Sequence, residues 1–526
     1  AGYKQENDGT IVITNGNDII ASNDKKLINT KAQNNPVVNE IRKSVKSGQF
    51  AVIQNGIKRY FTSLDKGRNY YIYMYAEDRD LVKTLTSNIG IALILYGIFV
   101  TILMTIKAKS NQQYELIQKQ REEEYKKELE KSAREAKKAG RLVCWSASVA
   151  PPEFCVAMDI AMVYPETHAA GIAARKDADG VLETAALKGY NADICSYARV
   201  NLGYMELLKQ EAMTGETPDK LANSKGARIP LPDLVITCNN ICNTLLKWYE
   251  NLAKELNIPC IVIDVPFNHT MPIPQHSKDY IVDQFKEAIA QLEEICGRPF
   301  DYDKFFKVQE QTQRSVAAWN RVAAYAQNKP SPLNGFDLFN YMGLIVCARS
   351  LPYSEITFNK FCDELEAKKQ AGKSAFGDAD AEKKRITWEG IAVWTNLGLT
   401  FKGLKNLGVV MTGSAYPDLW NLTYTPGDLD SMAVAYTNIY INTCLPNRTA
   451  RLQNIVSNSK SDGIVFHLNR SCKLMGLLNN ESAETIQANL RLPYVSFDGD
   501  QADPKNFSAA QYETRVQALS EMMNEQ

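Results

Sequence analysis

From residue 140 onward the chain alternates short, continuously apolar runs with longer helical stretches, and this alternation restricts the fold more than any other feature. The apolar runs are Leu142 to Cys144, Leu234 to Thr237, Cys260 to Asp264, Val409 to Thr412, Gly463 to Leu468 and Tyr494 to Phe497. Between them lie helical stretches such as Asn243 to Leu256 and Asp279 to Ile295. Strands that are apolar on both faces must be covered on both faces, and helical connections between them imply parallel pairing. The expected class is α/β, with two doubly wound parallel-sheet lobes and helical additions. A break near Arg298-Pro299 would divide them into residues 140–298 and 299–526.

The chain before residue 140 has a different texture. Residues 1–83 are short β-type runs, and Thr10-Ile-Val-Ile-Thr, Asn15-Gly16-Asn17 and Asp18-Ile-Ile-Ala together carry a hairpin signal. This is read as a small mixed α+β piece. From Thr84 to Ile106 no residue is charged, a run long enough to cross a bilayer as a helix at about 1.5 Å per residue. Lys107 and Lys109 follow at once, which places the N-terminal piece outside and the rest in the cytoplasm. Residues 107–139 are rich in helix formers and opposite charges three or four apart, as in a solvated linker helix.

Sixty Lys+Arg balance sixty Asp+Glu, which argues against a nucleic-acid partner, because such proteins present a basic face. The eleven cysteines lack the short, regular spacing of a secreted disulfide framework, so a reducing compartment is expected. No Walker-type loop, GxGxxG or GxSxG occurs. Three cysteines instead stand where strand runs end in polar turns: Cys195 in ADICSYAR, Cys242 in PDLVITCNNIC and Cys472 in DGIVFHLNRSC. Ligands bind at the carboxyl ends of strands in open α/β sheets. Three soft ligands there could hold a metal or Fe–S centre and leave a position open.

Longer motifs add a resemblance. LVCWSASVAPPEFC and YPETHAAGIAARK, together with DICSYARVNLGYME, ITCNNICNTLLKWYENL, KPSPLNGFDLFNYM, MTGSAYP, HLNRSCKLM and FDGDQADP, resemble the 2-hydroxyacyl-CoA dehydratase family over roughly residues 133–526. The resemblance implies an alpha-type subunit of an oxygen-sensitive radical lyase of anaerobic fermentation. It would remove water from a 2-hydroxyacyl-CoA such as (R)-lactoyl-CoA to give the 2-enoyl-CoA, acryloyl-CoA in that case, through a ketyl radical anion. It implies a [4Fe–4S] cluster on Cys195, Cys242 and Cys472, with Ser148 bonding the thioester carbonyl and Glu166 as the base that takes the β-hydrogen. It further implies a beta subunit as partner and an ATP-dependent iron–sulfur activator protein. It also raises a flavin in the assembled complex, to which no residue here is assigned; His168 receives no role, and Cys238 is read as a neighbour of the ligands.

Two other readings stand beside this one. The N-terminal piece, the uncharged run and the charged helix resemble the front end of a membrane sensor with a Cache- or PAS-like domain, so the chain could sense an acyl-CoA or redox state through a dehydratase-like part. Alternatively, Cys238, Cys242, Cys472 and His467 could hold zinc. The membrane reading makes a direct prediction: the full chain fractionates with membranes and needs detergent, whereas a chain beginning near Ser132 is soluble. A full chain that stays soluble without detergent contradicts it.

Overall fold

The structure, a computed structural model, describes residues 9–77, 132–224 and 228–525. The spanning run 84–106 and all but the end of the linker 107–139 lie outside the described residues; residues 132–138 are helical. Among the described residues no helix is long and apolar enough to cross a membrane.

Two compact units are present, one within residues 1–117 and one within 118–526. The first contains five antiparallel strands: β1 (Gly9–Thr14), β2 (Ile19–Ser22), β3 (Gln49–Asn55), β4 (Lys58–Lys66) and β5 (Tyr71–Glu77). They lie in the order β2-β1-β5-β4-β3. The Asn-Gly turn joins β1 to β2 as expected: Asn15 Oδ1 accepts from the Asn17 and Asp18 amides at 3.0 and 2.7 Å, and Gly16 takes φ +103°, a region open to glycine. The helix Pro36–Ser44, capped by Asn35, buries Val37, Val38 and Ile41 in the core that the sheet shares with it.

In the second unit, β6 (Val143–Ser146), β7 (Ala161–Val163), β8 (Leu234–Cys238) and β9 (Cys260–Ile263) form a parallel sheet ordered β7-β6-β8-β9. A second parallel sheet, β10 (Lys384–Glu389), β11 (Val409–Ser414), β12 (Gly463–Asn469) and β13 (Tyr494–Gly499), is ordered β11-β10-β12-β13. Each sheet therefore begins in its interior, steps to one side and then returns to the other. Where the stepping direction reverses, between first and third strands, the loops diverge and leave a crevice at the strand ends. The turns after β6, β8, β10 and β12 are the ones at these two reversals.

The apolar runs lie in strands as expected, while β7 and β10 are additional. β10 reads KRITWE, too charged to suggest a strand, yet its last five residues are buried. Its charges are paired inside: Arg385 with Glu382 at 2.6 Å and Glu389 with Arg448 at 3.1 Å. Four long helices, Gln275–Cys296, Tyr302–Ala324, Gly335–Ala348 and Pro352–Gln370, lie between β9 and β10 in the chain. Beyond Arg298-Pro299, Phe305 of the second of these stacks on Phe154 beside the first sheet, with ring centroids 5.4 Å apart. One continuous core contains residues of both sheets, from Val143 and Ile236 to Ile464 and Phe466.

The helix Ser196–Thr214 docks against Ala178–Leu187 at Gly203, where a Cβ would stand 2.2 Å from the Val181 carbonyl oxygen. Only backbone meets there, so no side chain can give way. Gly203→Ala is predicted to cost about 1–3 kcal/mol, as overpacking does, and to lower the urea midpoint of unfolding. An unchanged midpoint contradicts the close docking.

Candidate active site

The turns at the two reversals face a common cavity of about 180 Å³. The first sheet contributes Ser148 after β6, Glu166 after β7, Cys195 from the crossover to β8, and Cys242 after β8. From the second sheet come Ile391 after β10, Tyr416 after β11, Cys472 after β12 and Gln501 after β13. All five residues singled out from the sequence line this one cavity, although they span more than 300 positions of chain.

Each of the three cysteines is the residue at which a helix begins. Cys195 precedes Ser196–Thr214, Cys242 precedes Asn243–Leu256, and Cys472 precedes Lys473–Gly476. The free amides at a helix start point towards such a residue and favour negative charge on it. Leu245 N donates to Cys242 Sγ at 3.4 Å, and backbone amides act likewise on the other two thiols. Gln501 Nε2 adds a donor to Cys195 Sγ at 3.3 Å. Burial nevertheless dominates, pushing all three thiols up to about 12. Each thiol also feels another of the set, Cys195 that of Cys472, Cys472 that of Cys242, and Cys242 that of Cys195.

Two of the turns are tied together through the serines beside Cys195 and Cys472. Ser196 N donates to Ser471 Oγ at 3.1 Å, Ser471 Oγ donates to Ser196 Oγ at 3.2 Å, and Ser196 Oγ donates to Asp500 Oδ1 at 2.5 Å. Cys195 and Cys472 are thereby held by a buried polar chain.

Among the described residues, no three or more His, Cys, Asp and Glu converge on one point that a single ion could occupy. The zinc reading fails on placement as well. Cys238 does not line the cavity and donates its thiol hydrogen to Asn240 Oδ1 at 2.7 Å. His467 packs flat on Phe497, its Nδ1 2.6 Å from the Ile391 carbonyl oxygen, and burial lowers its pKa to about 4, so it is a neutral core histidine. Three thiols that line one cavity without converging on one point fit a polynuclear iron–sulfur group, in which each thiolate would bind a different iron. The amides at the helix starts and Gln501 are the hydrogen-bond donors that such sulfurs accept.

Glu166 and Ser148 line the same cavity. Glu166 lies in the first turn of Pro165–Ala174; its Oε1 accepts from Ser148 N at 3.0 Å and its Oε2 from Tyr249 Oη at 2.8 Å. These bonds and the helix start favour the carboxylate, but burial outweighs them and raises its pKa. The Ser148 hydroxyl is buried without a hydrogen bond of normal geometry. Its backbone is fixed by Arg349, whose Nη2 donates to the Ser148 and Ala150 carbonyls at 3.2 and 3.0 Å. Arg349 is wholly buried and charge-balanced by Glu153, which accepts from Tyr424 and Tyr436. The remaining wall is mostly apolar, with Trp248, Phe339, Trp394, Leu397 and Leu419 among its residues beside the polar Thr167, Thr244 and Asn340.

The sequence reading missed Gln501 and Arg349. Gln501 follows a strand end, within FDGDQADP, so the reasoning that singled out the cysteines applied to it too. Its Oε1 is buried without a partner while its amide nitrogen bonds Cys195. No local pattern marks Arg349, whose partners lie about 200 positions away. His168 is buried edge-on to Tyr204 and does not line the cavity.

Comparison with known proteins agrees with this geometry. Residues 147–523 match the family model described as 2-hydroxyglutaryl-CoA dehydratase, D-component. The chain is 66% identical over 396 residues to lactoyl-CoA dehydratase subunit alpha of Anaerotignum propionicum, covering 75% of this chain and 93% of that protein. It is 44% identical to the (R)-2-hydroxyisocaproyl-CoA dehydratase alpha subunit of Clostridioides difficile, again over 75% of this chain and 93% of the relative. With the (R)-phenyllactyl-CoA dehydratase alpha subunit of Clostridium sporogenes it shares 41% identity, over 74% and 92%. With this extent of match and all five expected residues on one cavity, the chain belongs to the 2-hydroxyacyl-CoA dehydratase family.

Proposed function

We propose that the chain is the alpha-type subunit of a radical 2-hydroxyacyl-CoA dehydratase acting on (R)-lactoyl-CoA, with a beta subunit as partner and an ATP-dependent iron–sulfur activator as electron donor. The observation that carries this is the gathering of three helix-start thiols, a buried carboxyl and a buried hydroxyl on one cavity, in a chain 66% identical to a lactoyl-CoA dehydratase alpha subunit. The N-terminal unit and residues 84–106 are read as a sensor-like piece and a membrane anchor, outside this chemistry.

The reaction breaks the C–O bond at the α carbon and a C–H bond at the β carbon, and forms a C=C bond and water. No carbonyl activates the β-hydrogen, so acid–base chemistry alone meets a high barrier. A [4Fe–4S] cluster on Cys195, Cys242 and Cys472 would supply one recyclable electron and an open iron position as Lewis acid. Ser148 supplies a hydroxyl donor to the thioester oxygen as charge builds there, an oxyanion role made stronger by the dry site. Glu166 takes the β-proton. Burial raises its pKa, which makes its ionised form a better base than an exposed carboxylate. The apolar wall keeps water from competing for the reactive carbon.

Substitutions separate these roles. Replacing Cys195, Cys242 or Cys472 with Ala should abolish the iron–sulfur absorbance, whereas Cys238→Ala keeps it. Ser148→Ala keeps the absorbance and slows turnover of lactoyl-CoA by on the order of 10²–10³. Full turnover in Ser148→Ala, or an intact cluster without Cys472, contradicts the assignment. The pH profile gives an independent check. A base with a raised pKa is lost as pH falls, so the acid limb of kcat/KM should lie above the ordinary carboxylate range. Tyr249→Phe removes a bond that favours the ionised form, so that limb should move further up; a downward shift excludes Glu166 as the titrating group.

A further inference from the structure

Behind the Cys472 turn, away from the residues assigned to the reaction, lies a second buried charge system. Arg448, on the helix Leu445–Asn458, is 1% exposed, and Glu389, the last residue of β10, is also 1% exposed. Arg448 Nη2 donates to Glu389 Oε1 at 3.1 Å, and Tyr440 Oη donates to the same oxygen at 3.1 Å. The other Glu389 oxygen is buried without a partner. A pair this dry is costly to build and offers little net stability, so stability alone is a poor reason for it.

Its contacts lead to the ligand turn. Arg448 Nη1 donates to the Leu474 carbonyl at 3.0 Å and Nη2 to the Met475 carbonyl at 3.4 Å. These carbonyls belong to Lys473–Gly476, the single-turn helix that Cys472 begins, and both residues line the cavity. The guanidinium therefore closes the far end of the turn whose near end carries the sulfur. Arginine keeps its charge at any working pH, and burial leaves that charge weakly screened.

We propose that Arg448 and Glu389 set the reduction potential of the iron–sulfur group bound through Cys472: the guanidinium stabilises the added electron, and the carboxylate limits that stabilisation. This rests on the cluster reading given above. Reduction adds one electron from a low-potential donor, and hence one negative charge, with no protein bond made or broken. Net charge beside a cluster and hydrogen bonding around its sulfurs are the protein's levers on its potential. Glu389 meets the turn through Arg448, so the cation is the nearer and stronger of the two charges. A merely structural role predicts loss of cluster or fold in either variant; an electrostatic role predicts shifts of defined sign.

The test is a dye-mediated redox titration of the full chain, purified without oxygen and followed by visible absorption and electron paramagnetic resonance. Glu389→Gln keeps the shape and the hydrogen bonds but leaves the cation uncompensated. The midpoint should move to a more positive potential with iron content unchanged. The double variant Glu389→Gln with Arg448→Met buries no unpaired charge and keeps the fold testable. Its midpoint should fall below that of Glu389→Gln and below that of the unaltered chain. Identical midpoints, or a negative shift in Glu389→Gln, overturn the assignment while leaving the cluster in place. An unaltered chain without an iron–sulfur signal overturns the cluster reading and this inference together.

Discussion

Three helix starts converge on one cavity, each carrying a cysteine, and the site depends on how their sulfurs can bear charge in so dry a place. Burial raises each thiol from 9.0 to about 12, a rise worth about 4 kcal/mol against the thiolate. The amides at the helix starts pull the other way and are already part of that balance, so they do not by themselves ionise these groups at neutral pH. Either the thiols stay protonated or a cation meets them. The cluster reading supplies that cation, and the amides at the helix starts then serve as donors to sulfurs already negative.

Both sheets solve the positioning problem alike. In each, a buried arginine grips the backbone carbonyls of a turn that carries a functional residue: Arg349 holds Ser148 and Ala150, and Arg448 holds Leu474 and Met475. Each is balanced by a buried carboxylate, Glu153 by way of Tyr436 in one case and Glu389 directly in the other. Removing either arginine alone would leave its carboxylate buried without the cation that balances it, which costs more than the pair itself contributes. The turns are thus fixed by groups that cannot leave, and the cavity is preformed for its contents.

Much of this was legible in the chain. The apolar runs declared their strands because both faces are covered, and Cys242 and Cys472 could be singled out because they follow strand ends; Cys195, expected at a strand end as well, instead lies in the loop between the helices Ala178–Leu187 and Ser196–Thr214. Ser148 and Glu166 came from resemblance; by pattern alone they were a turn serine and a first-turn acid. β10 was hidden because Arg385 and Glu389 look exposed until their partners, distant in sequence or reached only in the fold, are known. Arg349, Arg448 and Gln501 owe their roles to contacts between segments brought together by two crossovers, and no window of sequence contains those.

The central claim is that the three thiols hold one iron–sulfur group, and metal analysis of the unaltered chain tests it most directly. Purified without oxygen, the chain should contain iron and acid-labile sulfide in equal amounts, bound to protein and lost together in air. Zinc in place of iron, or a metal-free chain with three titratable thiols after reconstitution with iron and sulfide, would contradict the account.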